Sequence, residues 1–277
     1  MKFLIVNFTG LGNTVLINPV INIIKKNIKE SKISIISNNV DSDLELSNLN
    51  KDIDYTINYK QINLFGKIAF FKDLILGKFD FIVLNSFSNP SLIFLIYLFF
   101  VSNSNIVLPC YLKNLDKKKK KLFNILKIYR QFFFKKKKLI ISEPIHSTTH
   151  EIDANIAIIK KIFPKNIQIN DSYKFNSISL NYETDILSRF NIEKKKYICV
   201  QFSGAHGLKS PKIWNSKKSI ELIEKLSNFK TVVVIGNDRD NNSKNYKFSQ
   251  NMNIIDLVGK TSLKETISLL KFSLSNI

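Results

Sequence analysis

Two loops hold the residues whose types and spacing could do chemistry. The first is Gly10-Leu11-Gly12-Asn13-Thr14-Val15, directly after an apolar stretch. A dinucleotide fingerprint needs a third glycine where Val15 stands, and a P-loop needs a Gly-Lys-Ser/Thr ending that is missing here. What remains is a tight strand-to-helix turn, whose backbone N–H groups can receive a hydroxyl or a phosphate at the helix N-terminus. The second loop is Gln201-Phe202-Ser203-Gly204-Ala205, followed by a polar stretch and then Lys212-Ile213-Trp214. Small residues let N–H donors and a hydroxyl approach a pyrophosphate, and Lys212 adds one mobile cation just before a helix. Both residues also have plainer readings: Lys212 as one solvated lysine among many, Trp214 as an aromatic plug on the helix start.

Each loop needs a strand before it and a helix after it. Residues 3–8 are apolar and β-prone, 14–28 carry apolar positions at helical spacing with Lys opposite, and 31–37 read as a second strand. Pro19 falls inside the helical stretch, as a kink or as a first turn. Strands follow at 53–58, 79–84 and 105–109, helices at 64–77, 91–101 and 150–163. Continuous apolar strands alternating with helices predict an α/β, doubly wound parallel fold. After Pro164 a polar, Asn-rich stretch reads as a linker over 166–182, separating a domain at 1–165 from one at 183–277. In the second domain, helices at 183–191, 216–228 and 263–272 alternate with strands at 197–202, 231–236 and 253–259.

Composition narrows the function. The chain has 277 residues, 44% of them hydrophobic, which is enough for a large buried core. Its net charge of +20 is almost entirely Lys, in a sequence rich in Lys, Asn and Ile throughout. The excess favours anionic partners. Arg130, Arg189 and Arg239 are the only arginines, which argues against nucleic acid, because base readers use bidentate Arg. Residues 111–138 form a basic amphipathic stretch with Lys runs at Lys117–Lys121 and Lys135–Lys138. It reads either as a surface helix packed on the domain or as an element lying on an anionic membrane. Cys110 and Cys199 stand far apart in apolar surroundings, so buried free thiols in a reducing cytoplasm are expected, with no metal site. No signal peptide or membrane-spanning run is legible, so a cytoplasmic protein, soluble or peripheral, is expected.

Four segments in order carry a family resemblance: FLIVNFTGLGNTVLINPVINIIKKN, HEIDANIAIIKKI, VQFSGAHGLKSPKIWNSKKSIELIEKL, and VVVIGNDRD with IIDLVGKTSLKETISLLK. Together they resemble the ADP-heptose:lipopolysaccharide heptosyltransferases, glycosyltransferase family nine. The resemblance implies a GT-B type architecture of two Rossmann-like domains, the first for the acceptor and the second for the donor. It implies metal-independent sugar transfer with inversion, without a cofactor, from a nucleotide sugar such as ADP-heptose to a phosphorylated, lipid-linked glycan. Gly10, Gly12, Asn13 and Thr14 would then face the acceptor. Ser203, Gly204, Ala205 and Lys212 would hold the donor diphosphate, with Asp238, Thr261 and Ser262 near the nucleotide. Asn13 stands where the family places an aspartate base, and an amide cannot take that proton at neutral pH. Asn13 is therefore expected to orient the acceptor. The family also continues with an Asp-Ser/Thr-Gly-x-x-His stretch, so the second domain is expected to be incomplete here. A catalytically impaired remnant or an acceptor-binding module is the alternative to an active transferase.

Overall fold

The computed structural model describes residues 1–8, 10–37, 41–84, 98, 102–110, 124, 125, 128, 129, 132, 139–144, 150–163, 185–201, 215–236, 248 and 253–277. The chain divides into two compact units, Met1–Leu180 and Asn181–Ile277.

The first unit is built on strands β1 (Lys2–Asn7), β2 (Lys32–Ser37), β3 (Tyr55–Asn58), β4 (Phe81–Leu84), β5 (Asn105–Cys110) and β6 (Leu139–Pro144). They form one sheet in the order β3-β2-β1-β4-β5-β6, and every pairing is parallel. Residues Phe3 to Val6 of β1 are buried on both faces, as a central parallel strand requires. Successive side chains feed opposite layers. Leu4 and Val6 pack with Phe70, Leu74 and Ile82 on one side, while Phe3 and Ile5 pack with Ile21, Ile24 and Ile159 on the other.

Helices α1 (Leu11–Leu16), α2 (Asn18–Asn27), α3 (Asp41–Leu49), α4 (Leu64–Ile75) and α5 (Glu151–Ile162) join and cover these strands. The single helix expected over 14–28 is in fact two. Pro19 sits in the first turn of α2, where its missing N–H costs nothing. Helix α3 and strand β6 had no counterpart in the sequence reading. Most of the apolar stretch 91–101 and of the basic stretch 111–138, including both Lys runs, lies outside the described residues.

The second unit carries β7 (Tyr197–Val200), β8 (Thr231–Val234), β9 (Ile254–Asp256) and β10 (Ser275–Asn276), with helices α6 (Ile186–Arg189), α7 (Ser216–Ser227) and α8 (Leu263–Phe272). Its sheet runs β10-β7-β8-β9, again all parallel. Counting strands from the start of each unit, both sheets share the order 3-2-1-4, the doubly wound Rossmann order, and the first continues to 5-6. Inside the second unit, Tyr197 Oη donates to the Leu269 carbonyl at 2.6 Å, and burial pushes the Cys199 thiol up to about 12. No helix among the described residues is long and apolar enough to cross a membrane.

Candidate functional site

In a doubly wound sheet the crevice lies beyond the carboxyl ends of the strands, where the strand order reverses. In the first unit that point falls between β1 and β4, and in the second between β7 and β10. The two loops singled out in the sequence leave β1 and β7.

At the exit of β1, Gly10 is the N-cap of α1 with extended backbone (φ −75°, ψ 179°), and its carbonyl accepts from Asn13 N–H at 2.9 Å. Gly10 and Gly12 are exposed, and a Cβ built on either meets no heavy atom within 4 Å. Packing within the unit therefore does not demand glycine at either position; what the two residues leave is an open approach to the backbone. Asn13 is half-buried on α1. Thr14 behaves differently: it is 2% exposed, and its Oγ1 accepts from Asn7 Nδ2 at 2.7 Å. Its hydroxyl pins the start of α1 to the end of β1 and points into the unit. Helix α1 is six residues long.

The turn is held by amides that the sequence reading passed over. Asn155, fully buried on α5, donates from Nδ2 to the Leu16 carbonyl at 3.1 Å, at the end of α1. Asn50, after α3, donates to Asn18 Oδ1 at 2.9 Å, at the start of α2. The break between α1 and α2 is thus fixed from two sides. The one available signal was an Asn among the otherwise apolar positions Ala154, Ile156, Ile158 and Ile159, and it was masked by the abundance of Asn in the chain. Among the described carboxylates, Asp54 belongs to the other end of the sheet. It joins Lys25 at 2.7 Å, Lys32 at 3.2 Å and the Ile33 N–H at 2.7 Å. Burial alone would raise its pKa, but these three partners together hold it below the usual carboxylate value. Glu151 and Asp153, on the first turn of α5, lie at the same carboxyl edge as the Gly10 turn.

In the second unit, β7 ends at Val200 and α7 starts after Asn215, whose Oδ1 caps the helix by accepting from Lys218 N–H at 3.3 Å. Ser203, Gly204, Ala205 and Lys212 fall between these two elements, and Asp238 falls just after β8; all five lie outside the described residues. Thr261 and Ser262 follow β9, at the same edge, but their hydroxyls are engaged locally. Ser262 Oγ accepts from Glu265 N–H at 3.3 Å while Glu265 Oε2 accepts from Ser262 N–H at 2.8 Å, a reciprocal capping box. Glu265 Oε1 also meets Arg189 at 2.8 Å. The bond from the Ser262 N–H is the main reason the Glu265 carboxyl is held low. Thr261 Oγ1 lies 2.9 Å from Thr266 Oγ1. Ser262 and Thr261 thus start α8, a role the Ser-x-x-Glu spacing could have announced.

A repeated 3-2-1-4 parallel sheet defines a protein of two Rossmann-like units. The fold is that of the GT-B glycosyltransferases, and the solved structures it matches include family nine. A family nine glycosyl transferase from Veillonella parvula superposes with a TM-score of 0.64 at 12% identity, over 99% of this chain and 74% of that one. The E. coli heptosyltransferase WaaC with ADP-2-deoxy-2-fluoro heptose gives 0.62 at 13% identity, over 99% and 81%. The E. coli ADP-heptose lps heptosyltransferase II gives 0.63 at 11% identity, over 100% and 78%. No family model matches the chain, and no curated protein matches it in sequence.

Proposed function

We propose that this chain is a family nine glycosyltransferase that moves a sugar, heptose being the best candidate, from a nucleotide diphosphate donor to a phosphorylated, lipid-linked glycan. The observation that carries the proposal is the duplicated doubly wound sheet, with the Gly10 turn at the first switch point, in a fold shared with a heptosyltransferase solved with a nucleotide-sugar analogue. In this reading Gly10, Gly12 and Asn13 receive the acceptor, and Thr14 supports the turn from beneath. Ser203, Gly204, Ala205 and Lys212 receive the diphosphate, and Asp238 lies near the nucleotide.

The transfer is a direct displacement. The acceptor oxygen bonds to the anomeric carbon from one face as the bond to the diphosphate oxygen breaks on the other, inverting the centre. Lys212 offsets the charge growing on the departing diphosphate. The proton of the acceptor hydroxyl must go to a base, and Asn13 is an amide; Glu151 and Asp153 are carboxylates at the right edge of the sheet. Asn13 orients the acceptor by hydrogen bonding. The reaction draws on a cytoplasmic donor and uses neither metal nor cofactor.

Incubation with radiolabelled ADP-heptose and a bacterial lipid extract tests the proposal, with label expected in the lipid fraction. Lys212→Ala should weaken ADP binding by about tenfold, the loss of one charge-assisted contact; unchanged affinity removes Lys212 from the site. Asn13→Asp should raise turnover if this position faces the acceptor. Asn13 also favours a second reading, an acceptor-binding module without turnover. That reading predicts lipid-glycan binding with no transfer, in the Asn13→Asp variant as well.

A further inference from the structure

Helix α4 departs from the usual pattern of a surface helix. Its inner face is anchored normally, with Phe70 and Leu74 buried against β1 and β4. Its outer face is also apolar: Leu64 and Phe65 are 70% and 81% exposed, and Ile68, Ile75 and Leu76 are 56%, 51% and 67% exposed. At 100° per residue these five and Lys72 fall within about 120° of the helix circumference, a single continuous stripe. An exposed apolar stripe of this kind marks a contact surface.

Charge indicates what covers it. Lys72 lies exposed within the stripe. The acid on α4, Asp73, is neutralised by Lys78 at 2.8 Å. Lys67 sits with Nζ 5.3 Å from the centre of the Tyr59 ring. The chain as a whole carries +20. The same unit exposes a second set of apolar residues at helical spacing, Ile125, Ile128 and Phe132, inside the Lys-rich stretch 111–138. Apolar stripes edged by lysine match an anionic lipid surface, where each Lys near the headgroups strengthens binding roughly fivefold. The helix is also tied to the candidate site: Tyr59, beneath Lys67, packs on Phe8 at 6.0 Å, two residues before Gly10.

We propose that the outward face of α4 docks the first unit on an anionic bilayer. Leu64, Phe65, Ile68, Ile75 and Leu76 enter the boundary between headgroups and acyl chains, and Lys72 sits at the level of the phosphates. Docking on this face sets the N-terminal end of α4, and with it the Gly10 turn, beside the membrane. The proposal stands on its own, whatever reaction the site performs.

The test is co-sedimentation of the full chain with phosphatidylcholine vesicles, with and without phosphatidylglycerol. Binding is expected to need the anionic lipid and to weaken as salt is raised. Replacing Leu64, Phe65 and Ile68 together by Ser should lower the partition coefficient by at least about tenfold, since each CH2 taken into lipid is worth roughly fourfold. In a second measurement, Phe65→Trp should add fluorescence that brominated lipid quenches, relative to the wild type with its single Trp214. This readout decides the question even if the triple variant fails to fold. Undiminished vesicle binding by a folded triple variant, or no added quenching at position 65, overturns the proposal. So does a triple variant that turns a dimer into a monomer while binding vesicles as before, which would make this face a contact between copies.

Discussion

Gly12→Ala separates what the Gly10 turn does for folding from what it does for a ligand. Gly12 lies on α1 with helical backbone, and a Cβ there meets no heavy atom within 4 Å. For folding alone, alanine should be the better residue. Glycine costs about 0.5–1 kcal/mol relative to alanine in a helix, chiefly through the freedom of the unfolded chain. In a short helix the lower end applies, so the first unit should gain about 0.5 kcal/mol, or about 1–2 °C in melting temperature for a unit of this size. Gly77→Ala is the internal control. Gly77 ends α4 with φ +64°, and an added Cβ would lie 3.0 Å from the Asn103 carbonyl oxygen. The left-handed backbone alone should cost about 1–2 kcal/mol. One substitution, made at two glycines of one unit, should thus move urea midpoints in opposite directions. If Gly12 is there to let an acceptor reach the backbone, Gly12→Ala should also raise the acceptor KM by about tenfold, equivalent to about 1.4 kcal/mol, in a protein more stable than the parent. A less stable Gly12→Ala would refute the description of α1. A more stable variant with unchanged acceptor KM would show that the turn does not touch the acceptor.

Three further outcomes are expected. Asn155→Ala should cost about 1 kcal/mol in urea unfolding, the net worth of its hydrogen bond to the half-buried Leu16 carbonyl, and should reduce activity by loosening α1; a neutral result would mean that α1 is positioned by other contacts. Asp54 is held below its ordinary value, so its contribution is present above the unfolded carboxylate value, about 3.9, and is lost as pH falls through the lower folded value. The wild type should therefore lose stability on acidification below about pH 4 more steeply than Asp54→Asn, and parallel curves would contradict that linkage. Ser262→Ala should cost about 1 kcal/mol by breaking the capping box of α8; if it weakens ADP binding without changing stability, Ser262 belongs to the donor site after all.

Much of the fold was legible because it is locally encoded. Continuous apolar runs such as Phe3–Val6 mark strands buried on both faces, and helical spacing between them marks crossover helices. That alternation leaves few topologies, because parallel strands need right-handed crossovers. The Gly10 turn was legible for the same reason: it follows a strand that could be recognised. The hydrogen bonds of Thr14 and Thr261 were not legible in this way. A hydroxyl in a loop reads identically whether it meets a ligand or a backbone N–H, and the choice is made by where the side chain points. Thr14 points inward to Asn7, whereas the bond from Ser262 to its own helix could be read from its spacing to Glu265.

By itself the sequence determined the α/β class, the two-unit organisation and the glycine-bearing turn after β1, since these rest on periodicity and on residues close together in the chain. Only the tertiary structure decided the strand order. It places the two-residue β10, too short for any periodicity, beside β7. It also decided the break between α1 and α2. Pro19 permits either a kink or a fresh start, and Asn155, 139 positions away from Leu16, closes the end of α1 so that the second outcome holds. Contacts between residues so distant in the chain leave no local pattern to read, because each partner's choice is fixed only when the other arrives.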